Sequence, residues 1–189
     1  MKIATSKNVL DNHQWSQAWL HYLDRSHPFD PYKIKDIVSI VPLPDMAEVL
    51  IFTDRKIYHH DKNSLETLIE LGSTQEFYSS KKSPSFPWVS LTYTLFAIDK
   101  SDNPIWINPL MIHHLYHIDH FLCLEMLGGS NVFLPIREEQ LLSLAEQALD
   151  LFLSLRLVDS LQSVDTPFIH SLLEYSYLKL SSLDEATYF

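Results

Sequence analysis

Only three glycines and one cysteine stand among 189 residues, and each scarcity closes off a class of protein. With so little glycine there is no phosphate-cradling loop and no dinucleotide fingerprint, because both need backbone that approaches a ligand closely. A single cysteine cannot form an internal disulfide framework, which makes a cytoplasmic location the expectation. No run reads as a membrane span, since the longest apolar stretch, residues 105–129, carries four histidines, Asp119 and Glu125. The opening residues lack the apolar core of a signal peptide. A Gly-x-Ser-x-Gly elbow is missing too, and nothing else in the chain forms a recognised catalytic motif. The expectation is therefore a protein that is not an enzyme and needs no cofactor.

Positive charge is scarce in one place. Residues 1–100 hold 11 Lys or Arg against 12 Asp or Glu (−1), whereas residues 101–189 hold 3 against 12 (−9), giving the net −10. Such a field disfavours phosphate backbones and anionic lipid, so nucleic acid and membranes are not the expected partners. It suits a basic or amphipathic segment of another protein, and it also aids solubility.

Apolar and aromatic residues, in contrast, are plentiful, and 46% hydrophobic content supports one ordered domain with a substantial core. The densest stretch is residues 105–129. Asn108 and Pro109 have the residue types of a helix start and Gly128-Gly129 those of a helix stop, so a helix of about five turns is expected between them. At 100° per residue, Met111, Leu115, Ile118, Leu122 and Met126 share one side and His113, His117 and His120 the other.

Elsewhere, residues 12–24 read as a helix anchored by Trp15, Ala18, Trp19 and Tyr22. Residues 34–41, 48–53 and 56–60 read as three antiparallel strands, the last two joined at Asp54-Arg55. Asn63 and Glu66 mark the start of a short helix. Residues 73–86 are a polar loop, residues 88–98 alternate as one strand, and residues 105–107 return as its partner. Past residue 129, a short extended piece at 132–134 is followed by a helix at 137–157 and a last helix opened by Asp165, Thr166 and Pro167. The expected fold is α+β, an antiparallel sheet of about five strands in the order α-β-β-β-α-β-β-α. Residues 1–136 form its body, and residues 137–189 a helical extension of two helices packed on it as one compact unit.

Histidine is the one residue type with chemistry in reserve. One turn apart on a helix, His113 and His117 present two imidazoles to a single metal ion, with His59 or His60 as a third ligand from a strand end. The competing reading is a polar stripe that packs or faces a partner. The same histidines near an acidic half also offer a pH response. Cys123, among Phe121, Leu122 and Leu124, reads as an inert core thiol. Phe86, Trp88, Trp106, Tyr116, Tyr188 and Phe189 are candidate partner-binding anchors, since aromatic residues are enriched at binding hot spots.

The element order over residues 12–127, with the acidity, resembles the class I chaperones of type III secretion systems. A similar adaptor role belongs to the effector-recruiting subunits of type IV coupling complexes. The two helices from Arg137 onward have no counterpart in that pattern. The resemblance implies an adaptor or secretion chaperone that holds a segment of a partner or effector protein. Two alternatives stand beside it: an immunity protein that neutralises a basic toxin, and a His-ligated metal-dependent hydrolase or metal-binding protein.

Overall fold

A computed structural model of the protein describes residues 9–11, 14–75, 85–90, 92–118 and 121–154. In chain order its elements are β1 (Val9–Leu10), α1 (Gln17–Asp24), β2 (His27–Pro28), β3 (Ile37–Pro42), β4 (Val49–Thr53), β5 (Ile57–His60) and α2 (Ser64–Thr74). There follow β6 (Trp88–Val89), β7 (Thr94–Ala97), β8 (Trp106–Ile107), a 3-10 turn (Pro109–Met111), β9 (Ile112–Ile118), β10 (Phe121–Met126), β11 (Asn131–Leu134) and α3 (Glu138–Ser154). The class is α+β, as expected. The strands, however, make two sheets in place of one of about five strands: a seven-stranded sheet β2-β5-β4-β3-β8-β7-β6 and a four-stranded sheet β1-β11-β10-β9.

The larger sheet is apolar on both faces. Strand β3 is buried along its whole length, with Ile37 and Ile40 in one core and Val38 and Val41 in the other. Leu68 and Leu71 of α2 share the first core with Trp88, Tyr93 and Trp106. The second core brings together α1 (Ala18, Trp19, Tyr22), the four-stranded sheet (Leu122, Leu124, Met126, Val132, Leu134) and α3 (Leu141, Leu142, Ala145, Ala148). The two sheets thus face each other across one apolar layer, and α3 belongs to that same core. Of the expected C-terminal extension only α3 is described; the last helix, Tyr188 and Phe189 lie outside the described residues.

Several local signals act as their chemistry predicts. Asn63 Oδ1 accepts from Glu66 N at 2.8 Å and starts α2. Strands β3, β4 and β5 are antiparallel neighbours, as expected. Two expectations fail for identifiable reasons. Residues 88–98 are not one strand, because Ser90 folds the chain back. Its N–H donates to Tyr93 O at 2.8 Å and its Oγ accepts from Tyr93 N at 3.1 Å, so β6 and β7 pair as a hairpin.

The second failure is the histidine helix, which is the β9–β10 hairpin. Asn108 does cap, accepting from Leu110 N at 3.1 Å, but what it caps is a single 3-10 turn. Gly128 (φ 100°) and Gly129 (φ 84°) turn β10 into β11 and do not end a helix, and Met126 N donates to Ser130 O at 2.9 Å across that turn. A bulge interrupts the alternation of β9. Glu125 pairs with His114 and Met126 with Ile112, so His113 is an extra residue in β9. Ile112 and Leu115, three apart, consequently both pack on the inner core. In an unbroken strand, residues three apart would face opposite ways.

Candidate functional site

Sheet edges are where unpaired backbone groups remain available, and natural proteins usually keep them short, charged or covered. Three of the four sheet edges, β1, β2 and β6, are strands of two residues each. The fourth is β9, seven residues long, which pairs with β10 on one side and with no strand on the other among the described residues. It contains neither proline nor lysine.

Directly opposed residues of an antiparallel pair share a face, which sorts the side chains around this edge. Leu115 and His117 sit opposite Leu124 and Leu122 on the inner face. His114, Tyr116 and Ile118 sit opposite Glu125, Cys123 and Phe121 on the outer face. Phe133 on β11 pairs with Cys123 and makes an edge-on contact with Phe121 at 6.0 Å between ring centroids. Tyr116 Oη donates to Asn131 Oδ1 at 3.3 Å. The outer face therefore carries an apolar and aromatic band, Tyr116, Ile118, Phe121 and Phe133, beside a polar end at His113, His114 and Glu125.

Burial raises the Tyr116 phenol and the Cys123 thiol above their ordinary ranges. Both stay protonated at neutral pH, and Cys123, fully buried, is the inert thiol expected from its neighbours. An open cleft adjoins the far end of the hairpin, lined by Phe121, Pro135, Ile136, Arg137, Glu139 and Gln140. His117 Nε2 lies 3.9 Å from Glu138 Oε2 there, and both side chains are largely exposed, so this pair contributes little.

The expected site residues separate widely. Trp88 and Trp106 are core residues in edge-on contact at 6.3 Å, 2% and 0% exposed, and offer almost no surface to a partner. Phe86 is 38% exposed, and Tyr116 is half-buried on the hairpin. The proposed metal set does not form. His117 faces Glu138, His59 Nδ1 lies 2.9 Å from Ser26 Oγ, and His60 is buried against Phe29 with Nδ1 2.9 Å from Thr67 Oγ1. His113 instead gathers with His114 and Glu125. Phe121, Phe133 and Glu125 are residues that sequence reasoning did not select as site residues. Only a hairpin register would have brought them beside the histidines.

Among the described residues, no helix is long and apolar enough to cross a membrane. A scan against protein-family models and searches of curated proteins and of solved structures return no match.

Proposed function

We propose that the protein is a non-enzymatic protein-binding module, an adaptor or secretion chaperone, that takes an extended segment of a partner protein as an added strand along β9. The observation that carries this reading is the seven-residue β9 edge, which pairs with no strand on its outer side among the described residues, where the other sheet edges are two residues long. Added strands bind through main-chain hydrogen bonds and are selected through alternate side chains. The element order behind the chaperone resemblance loses its helix at residues 109–127 to the hairpin, and the edge that the hairpin presents supports contact by an added strand.

Magnitudes decide what else the site must supply. A seven-residue antiparallel edge offers roughly seven outward N–H and C=O groups, each worth about 1 kcal/mol net when paired. Ordering a segment of that length costs about 1–2 kcal/mol per residue. Backbone bonds alone therefore do not hold the partner. Apolar side chains of the partner must also pack on Tyr116, Ile118 and Phe121 along the outer face. Basic residues of the partner are favoured by the excess acidity of residues 101–189, to which Glu138 and Glu139 contribute beside the hairpin.

The test uses adjacent proline variants. Along a strand, N–H groups point alternately to the two sides, so of Tyr116→Pro and His117→Pro one removes a bond to β10 and the other removes an outward donor. The variant that keeps the wild-type melting temperature is the informative one. As bait in its own cell extract, beside its matched alanine variant, it is expected to lose a partner that the wild-type chain retains, by at least tenfold. Retention of every partner by that variant contradicts the proposal. So does a wild-type dimer that the same variant turns into a monomer, since the occupant is then a second copy.

A further inference from the structure

The bulge in β9 does more than bend the edge. In a bulge, two residues of one strand oppose one of its partner, and here His113 and His114 together face Glu125 across the ladder. The two imidazole rings lie 4.1 Å apart between centroids, nearly perpendicular at 81°. One ligand atom from each of His113, His114 and Glu125 lies within 4.8 Å of the others. No side-chain hydrogen bond or ion pair engages any of the three among the described residues, whereas His59, His60 and His117 each face a polar group.

We infer that His113, His114 and Glu125 form a binding site for a divalent transition-metal ion, with two imidazole nitrogens and one carboxylate oxygen as protein ligands. Tetrahedral coordination with bonds of about 2.0–2.2 Å sets the ligand atoms about 3.4 Å apart. The three atoms here, within 4.8 Å, reach that spacing by a shift of about 1 Å or less in each side chain. His114 is exposed and His113 and Glu125 are half-buried, so each has room for that rotation. Two imidazoles with a carboxylate select zinc, copper, nickel or cobalt over magnesium or calcium, which prefer all-oxygen shells. Three protein ligands leave a coordination position open to solvent on the outer face of the sheet. The site stands apart from strand addition: it uses side chains at one end of β9, where the partner uses the backbone edge, and its test needs no partner.

The full-length chain, freed of metal by chelator, is dialysed against zinc alone and the bound metal measured by elemental analysis. Cobalt(II) absorption supplies the coordination geometry. The expected result is one ion per chain, with visible bands of tetrahedral cobalt. His113→Ala, His114→Ala and Glu125→Gln should each weaken zinc binding at least tenfold, while His117→Ala and His59→Ala change it less than twofold. Because His114 is exposed and His113 and Glu125 are only half-buried, the melting temperatures of the metal-free variants should match wild type, which separates lost ligation from lost folding. Binding well below one ion per chain overturns the inference. Equal losses in His117→Ala and His114→Ala also overturn it, since they mark diffuse binding to surface histidines. Full binding by Glu125→Gln removes the carboxylate from the ligand set and overturns the site as assigned.

Discussion

His60 Nδ1 donates to Thr67 Oγ1 at 2.9 Å, and the direction of that bond follows from counting protons. The single hydroxyl proton of Thr67 goes to Asn63 O at 2.8 Å, so Oγ1 can only accept from the ring. Neutral His60 therefore carries its proton on Nδ1. Its bare Nε2 lies 3.5 Å from Glu70 Oε2 and from Asp61 Oδ1, and Phe29 stacks on the ring at 3.9 Å. Burial pushes His60 below its ordinary 6.5, outweighing the upward pull of Glu70 and Asp61.

That shift makes stability depend on pH with a definite sign. The unfolded chain protonates this histidine near 6.5, while the folded chain does so only at lower pH. The contribution of neutral His60 is thus complete above about pH 6.5 and is lost as pH falls from there through the folded-state value. Urea unfolding at pH 7.5 and at pH 5 should show the wild type losing more stability than His60→Asn, whose amide can still donate to Thr67. Equal losses would contradict the assignment.

Trp106 tests the claim that it is core and not an anchor. Its Nε1 donates to Ser64 Oγ at 3.2 Å, and that hydroxyl donates to Pro104 O at 2.8 Å, all within buried structure. Ser64→Ala leaves the indole N–H and the carbonyl unpaired and should cost about 1–3 kcal/mol in denaturant unfolding. Trp106→Ala should cost about 3–5 kcal/mol. Neither loss comes from a surface contact, so partner affinity measured on the folded fraction of Ser64→Ala should equal that of wild type.

Gly128 and Gly129 hold the turn between β10 and β11 at positive φ, and a Cβ added at either meets no atom within 4 Å. Any cost of substitution there is backbone conformation and not crowding. Gly129→Ala should destabilise by about 1–2 kcal/mol, and Gly129→Asn by less, because asparagine tolerates the left-handed region better. Equal destabilisation by the two variants would show that something other than φ decides the turn.

Signals confined to a few neighbouring residues were legible in the sequence, and signals that depend on register were not. Asn63 as a cap and the β4–β5 hairpin around Asp54-Arg55 follow from local chemistry, and so do three of the four expected anchors of α1, Ala18, Trp19 and Tyr22; Trp15 instead precedes the helix, which starts at Gln17, and is 39% exposed. Asn108 and Gly128-Gly129, expected as a helix start and a helix stop, mark a 3-10 turn and a strand-to-strand turn instead, because a cap and a glycine pair serve either. The helical side shared by Leu115 and Ile118 does not survive in the hairpin, where Leu115 lies on the inner face and Ile118 on the outer. For the candidate site the consequence was larger. Residues 113 and 114 meet Glu125 only once β9 and β10 are aligned, and no spacing in the linear chain reports that alignment.

The most direct measurement of strand addition is amide hydrogen exchange of residues 112–118, made on the free chain and on the chain saturated with a captured partner. Inward amides of β9 are bonded to β10 in both states, so the outward amides carry the signal. The added strand predicts at least tenfold slower exchange of those outward amides in the complex. Unchanged exchange along β9, with protection appearing instead around the cleft at Phe121, Ile136 and Gln140, would contradict it.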